Sequence, residues 1–193
     1  MGNTIAVVYG SVRSERQGLR VARFIVEALK MRGDTGILVD PLEYRLPLLD
    51  RMFKEYERGS APAVMEQLAD IFRSVDGFLV VSGEYNHGIP PALKNMFDHF
   101  INEFFWRPAG LVTYSNGRFG GVRAAMQLRA TLPEQGMITI PSLLPFGNVA
   151  ETFDENGVPH AEYVRSSTKT FLDEFTWYVE ALRARRRDGV PYE

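Results

Sequence analysis

Two hydrophobic patterns alternate along the chain. Short unbroken apolar runs are followed by longer stretches with apolar residues every three or four positions. The runs are "TIAVVY" at 4–9, "GILVD" at 36–40, "GFLVVS" at 77–82, "AGLVTYS" at 109–115 and "MITIP" at 137–141. Successive side chains of a strand point to opposite sides, so an unbroken apolar run predicts a strand covered on both faces. Helical spacing predicts helices over 18–31, 63–74, 90–104, 120–133 and 163–187. Ala22, Ile25 and Leu29 form the stripe of the first, and Val64, Leu68, Ile71 and Phe72 that of the second. The third opens on prolines, which suit a first turn. It carries Leu93, Met96, Phe97, Phe100, Ile101 and Phe104 and runs on into Phe105 and Trp106, more apolar surface than one packing face readily uses. The last turns Val164, Thr168, Phe171, Leu172, Phe175, Tyr178, Val179 and Leu182 inward. Residues 41–62 mix prolines with polar residues and predict a long loop with at most a short helix.

Five strands alternating with helices predict an α/β fold with a doubly wound parallel sheet. The 193 residues suit a single domain over 1–193, and a 45% hydrophobic content fills a substantial core. A formal net charge of −2 offers no footprint for nucleic acid. The arginine run "RARRR" at the end of the last helix is expected to be solvated and to complement the helix dipole. The chain has no cysteine, which excludes disulfides, a thiolate nucleophile and cysteine-bound metals. His87, His99 and His160 are dispersed and lack metal-ligand spacing, so no metal site is expected. His99 is expected on a helix surface or interface. The first nine residues lack a basic leader region, and no apolar run nears the roughly 18 residues of a membrane span. A soluble cytoplasmic protein with no membrane partner is the expectation.

In doubly wound sheets ligands bind beyond the carboxyl ends of the strands. Three loops there are unusual. "GSVRSERQG" at 10–18 joins glycine, the hydroxyls of Ser11 and Ser14 and the guanidinium groups of Arg13 and Arg16 to a helix start. Free N–H groups, the helix dipole and charge-assisted hydrogen bonds favour a phosphate there. A capped helix start with solvated arginines is the plainer alternative. The loop matches neither G-x-x-x-x-G-K-[ST] nor G-x-G-x-x-G, so a terminal monophosphate fits it better than a triphosphate or a dinucleotide. Asp40, at the end of the second strand, is read as a turn residue.

"SGEYNHGIPPALKN" at 82–95 sets Tyr85 and Asn86 at the sheet edge before a stiff Ile89–Pro90 step. It suits either a flat heterocycle or an ordinary strand–helix connection. "SNGRFGG" at 115–121 holds three glycines, which let backbone approach a ligand. Cradle, platform and rim make a mononucleotide site.

"GSVRSERQGLRVA", "SGEYNHGIPPALKNMFD" and "SNGRFGGVRA", taken in order, resemble the NAD(P)H-dependent FMN reductase family over roughly residues 4–180. That family includes flavin, quinone, azo-dye and chromate reductases. The resemblance implies a flavodoxin-like three-layer α/β/α fold with strand order 2-1-3-4-5. It implies bound FMN, NADPH or NADH as co-substrate, and ping-pong hydride transfer to a small acceptor with no catalytic side chain. Ser11, Arg13, Arg16, Gln17 and Gly18 match the phosphate loop. Glu84, Tyr85, Asn86 and His87 match the segment along the isoalloxazine, and Ser115, Gly117, Gly120 and Gly121 the loop beside its pyrimidine edge. Gly83 stands where the family often has proline, and His87 where a small residue is common. The resemblance also implies a homodimer or homotetramer through helix 90–104, with Met52, Phe53 and Tyr56 of loop 43–60 covering the partner's flavin. A flavodoxin-type electron carrier or flavin-binding sensor without turnover is the second functional class, although a carrier is ordinarily more acidic. A phosphatase on a similar sheet lacks its cysteine.

Overall fold

A computed structural model describes residues 2–192; Met1 and Glu193, the ends of the expected 1–193 unit, lie outside them. Five parallel strands, β1 (Thr4–Tyr9), β2 (Thr35–Val39), β3 (Gly77–Ser82), β4 (Pro108–Tyr114) and β5 (Ile138–Phe146), form one sheet in the order β2-β1-β3-β4-β5. The helices are α1 (Gly18–Met31), α2 (Ala63–Ser74), α3 (Pro91–Asp98), α4 (Val122–Glu134), the short α5 (Val149–Thr152) and α6 (Glu162–Arg187).

The unbroken apolar runs follow from the layering. Ile5, Val7 and Tyr9 of β1 point into one core with Phe24 and Ile25 of α1 and Phe171 and Phe175 of α6. Ala6 and Val8 point into the other, with Leu68 and Phe72 of α2, Phe97 of α3 and Leu128 of α4. Each face of the sheet is therefore dry, and alternation with polar residues has no place. The flavodoxin-like order puts β1 and β3 side by side, with the chain turning one way from β1 to β2 and the other way from β3 to β5. That reversal opens the crevice beyond the carboxyl ends of β1, β3 and β4.

Three expectations are corrected. Helix 90–104 is not continuous. It ends at Asp98, and a 3-10 turn follows at Asn102–Phe104. The break lets Phe100 and Phe104, both fully buried, join Phe72 and Phe78 in one aromatic cluster with neighbouring ring centroids 5.1–6.3 Å apart. The surplus apolar surface is core rather than an exposed patch. His99 is likewise buried, its Nδ1 2.8 Å from the Asn95 carbonyl oxygen, and does not lie on a surface. Finally, β5 runs on to Phe146, well past the expected end at Pro141. Pro141 and Pro145 are tolerated because β5 is an edge strand, where a missing N–H faces no neighbour.

Loop 43–60 is irregular apart from one 3-10 turn, Phe53–Glu55, as the sequence suggests. Phe53 packs on Phe100 at 5.7 Å, its N–H bonds to the His99 carbonyl at 2.7 Å, and Tyr56 joins the same core. These two side chains are half-buried against their own chain. The exposed apolar residues of this loop are Leu48 and Leu49.

Candidate active site

The first loop leaves β1 at Tyr9 and enters α1 at Gly18. α1 has no side-chain cap and no acidic residue in its first turn, and its Leu19 and Arg20 N–H groups bond to the Arg16 and Gln17 carbonyls at 3.0 and 3.3 Å. The loop's two arginines are placed very differently. Arg16 Nη1 lies 2.6 Å from both carboxylate oxygens of Asp40, and the two side chains are 16% and 5% exposed. Asp40 also takes the Leu42 N–H on its side chain and the Glu43 and Tyr44 N–H groups on its carbonyl, which is the turn role expected of it. Arg16 thus ties the loop to the end of β2. Arg13 is exposed and makes no ion pair among the described residues.

The second loop carries Tyr85, whose hydroxyl is 2.9 Å from Ser11 Oγ and so joins it to the first. Tyr85 and Gly88 exchange backbone hydrogen bonds of 3.0 and 2.8 Å around Asn86 and His87, whose φ angles are 50° and 66°. Two left-handed central residues make a tight type I′ turn, in which glycine is favoured at the second position. His87 is the strained occupant, held by a 3.1 Å bond from Gln127 Nε2 to its carbonyl. Replacing His87 with glycine is expected to raise stability by about 1 kcal/mol, or roughly 2–4 °C in Tm. A fall in Tm on calorimetry would mean that the imidazole makes a stabilising contact.

Glu84 does not project freely. Its carboxylate accepts the Arg123 N–H at 2.9 Å and the Ala124 N–H at 3.3 Å and pairs with the Arg123 guanidinium at 3.4 Å. It caps α4 from a neighbouring loop, where the helix dipole favours it.

In the third loop Ser115 closes its own turn. Its hydroxyl donates to the Gly117 carbonyl at 2.6 Å and accepts the Gly120 N–H at 2.9 Å. Gly120 and Gly121 have φ of 63° and 76°, and a Cβ on Gly121 would stand 2.9 Å from the Tyr114 carbonyl oxygen. No other residue turns into α4 here without strain.

The three loops enclose a cavity of ≈ 180 Å³. Of the residues expected there, Ser11, Arg13, Arg16, Gln17, Glu84, Tyr85 and Ser115 line it. Asn86, His87 and Gly117 stand outside it, exposed, and Gly18, Gly120 and Gly121 are buried behind it. Glu15, Gly83, Tyr114 and Asn116 line it too and are not among the expected residues. A strand-end tyrosine reads as core from sequence, and so it is: the Tyr114 ring fills the space above Gly18 and Gly83. Burial pushes the Tyr114 and Tyr9 phenols above the ordinary tyrosine range, so both remain protonated donors.

The donor set fits an anion: an unpaired guanidinium, a hydroxyl pair and an uncapped helix start. Gln17 Oε1 is buried without a partner, an acceptor suited to a polyol hydroxyl. At this volume the cavity has room for a small anionic group and not for a fused ring system. A larger cleft, ≈ 900 Å³, is at the opposite end of the sheet, beside Arg107 just before β4. Three of its cations are engaged: Arg107 donates to four backbone carbonyls, Arg73 pairs with the buried Glu103 at 2.6 Å and Arg186 with Asp76 at 3.6 Å, while Lys54 and Arg58 also line it. No cluster of potential metal ligands occurs among the described residues.

Comparison with known proteins agrees with this geometry. Residues 3–151 match the family model described as NADPH-dependent FMN reductase. An NAD(P)H-dependent FMN reductase of Nectria sp is 31% identical over 163 residues, covering 77% of this chain and 78% of the relative. A quinone reductase of Pseudomonas putida is 29% identical over 189 residues, covering 94% and 97%. The flavoenzyme NAD(P)H:(acceptor) oxidoreductase FerB of Paracoccus denitrificans superimposes with a TM-score of 0.75 at 21% identity, over 91% of this chain and 98% of the other. The chain therefore belongs to the NADPH-dependent FMN reductase family, as an oxidoreductase with FMN as its cofactor and NAD(P)H as its reductant.

Proposed function

We propose that this chain is one FMN-binding unit that passes electrons from NAD(P)H to a small acceptor, a quinone foremost, in two half-reactions at one open face. The observation that carries the site assignment is the convergence of unpaired Arg13, the uncapped start of α1 and the Ser11–Tyr85 hydroxyl pair in one cavity at the carboxyl edge of the sheet. When bound, FMN supplies the redox chemistry, taking hydride from the nicotinamide and returning electrons to the acceptor. The chain's own residues bind and orient. Arg13 and the Gly18 N–H would hold the phosphate, and Ser11 and Gln17 would serve the tail. Arg16 positions the loop from Asp40. Tyr85, Asn86 and His87 present a platform open to solvent, on which either substrate has access. Ser115, Gly117, Gly120 and Gly121 form the rim, and Glu84 sets the rim's distance from the platform through α4. No side chain in the cavity has the arrangement of an acid–base catalyst, and hydride transfer needs none.

Purified protein is expected to bind FMN, to bleach with NADPH under argon, and to recover its yellow colour on addition of a benzoquinone. Binding without bleaching would favour the electron-carrier reading, and failure to reoxidise with any quinone would remove the acceptor class. A screen of quinones, azo compounds, metal oxyanions and free flavins with both nicotinamides ranks the acceptors.

We further propose a cytoplasmic homodimer or homotetramer. No helix among the described residues is long and apolar enough to cross a membrane. The assembly surface is the solvent side of α3 with the neighbouring loop: Pro91 and Lys94 are exposed there, and Asn95 pins Leu49 and Pro47 with bonds of 2.9 and 2.7 Å. Leu48, 85% exposed, and Leu49 give this face its apolar character. Light scattering should return a multiple of the 21.9 kDa chain mass. A monomer at micromolar concentration would refute the assembly.

A further inference from the structure

A second cavity, of ≈ 390 Å³, opens at the same edge of the sheet, where β5 ends. Arg118 forms one side, and Asn148, Thr152, His160 and Tyr163 the other. The glycine-rich loop separates it from the FMN cradle: Ser115 and Asn116 line the cradle and Arg118 the second cavity. This wall is fixed. Asn148 N–H donates to the Gly117 carbonyl at 3.0 Å and Val149 N–H to the Ser115 carbonyl at 3.1 Å. A Cβ on Gly147 would stand 2.5 Å from the Arg118 carbonyl oxygen, so the backbone of Arg118 packs directly on that glycine.

The Arg118 guanidinium rests on the Phe119 ring, 4.9 Å from its centroid, with Arg123 4.7 Å from the same centroid. The nearby carboxylate Glu84 pairs with Arg123, and Arg118 has no ion pair among the described residues. His160 is exposed opposite, and Tyr163, 65% exposed, offers an aromatic face. A stacked, unpaired guanidinium beside an open ring suits a phosphate attached to a flat base. A third cavity, on the other side of the cradle, is lined by Val12, Leu46, Leu48 and Met96 and bears no charge, so it does not suit an anion.

We propose that the β5-edge cavity receives the adenosine end of NADPH, and that Arg118 recognises the ribose 2′-phosphate and so distinguishes NADPH from NADH. This rests on the reductase reading above. A dinucleotide whose nicotinamide lies over the platform must place its other half on a neighbouring surface, and this cavity is of the size of small-molecule sites, ~300–1,000 Å³. Glu151, exposed on the same wall, opposes a dianion and sets the sign of a second test.

The FMN-loaded protein is titrated calorimetrically with 2′,5′-ADP and with 5′-AMP, and kcat/KM is measured with both nicotinamides. 2′,5′-ADP should bind at least ~10-fold tighter than 5′-AMP, the size of one charge-assisted contact. Arg118→Ala should remove that difference and lower the NADPH-to-NADH ratio of kcat/KM by about 10- to 100-fold. Arg118→Lys should retain part of it, and Glu151→Gln should raise the ratio. The proposal is overturned if the native protein binds both probes equally, or if Arg118→Ala leaves the ratio unchanged or lowers both substrates alike. Failure of the reductase reading looks different, because then neither nicotinamide bleaches FMN, whatever the binding titration reads.

Discussion

Replacing Arg13 with alanine is expected to weaken FMN binding by about 10- to 100-fold, the loss of one charge-assisted phosphate contact. Because Arg13 is exposed and unpaired, the same change should move stability by less than about 0.5 kcal/mol. Arg16→Ala should behave in the opposite way. It strands Asp40, whose side chain is only 5% exposed, and breaking a buried pair from one side costs about 3 kcal/mol or more. For a chain of this size that is a fall of roughly 6–12 °C in Tm. FMN affinity should then fall only because the loop is less ordered. Adding Asp40→Asn removes the stranded charge and should restore part of both Tm and affinity, which a direct phosphate ligand would not do. Flavin fluorescence titration beside calorimetry separates the two arginines. A large affinity loss in Arg16→Ala at unchanged Tm would return Arg16 to the phosphate.

That contrast marks how far the sequence could be read. The strands β1 and β3 and the helices α1 and α2 were legible almost to the residue, because each is a local pattern with clear punctuation. A parallel sheet with its loops along one edge follows from that alternation, whereas the order 2-1-3-4-5 rests on the family resemblance. What escaped was pairing between distant segments. Nothing local says that Arg16 meets Asp40 24 positions on, that Glu84 caps a helix 39 positions on, or that Tyr85 reaches back 74 positions to Ser11. Ser115 was legible as a loop residue and illegible as the group that holds its loop closed, because the same hydroxyl serves a ligand or a turn equally well. The aromatic series at 93–104 carried a genuine signal, strong burial, but periodicity alone could not say that the helix breaks to achieve it.

Gly18→Ala is the sharpest test of how the core supports the cradle. On helix propensity alone the change should stabilise α1, by less than the ~1 kcal/mol of an interior position because Gly18 is its first residue. The packing argues for a larger effect of opposite sign. A Cβ at Gly18 would overlap the Tyr114 ring. That ring is closely held: it is buried, the Tyr9 ring lies stacked at 6.4 Å, and the two hydroxyls are 3.4 Å apart. Either α1 or the tyrosine must move, and both border the cavity. The expected outcome is a net loss of about 2–3 kcal/mol, roughly 4–12 °C in Tm, with FMN affinity reduced in the same variant because the amides at the start of α1 shift. Tyr114→Leu removes the obstructing ring atoms. Combined with Gly18→Ala it should be less destabilised than the sum of the single changes, by a coupling of at least about 1 kcal/mol. Additive effects, or a Gly18→Ala protein that melts higher than the native one, would mean that the tyrosine does not hold the helix start where the phosphate needs it.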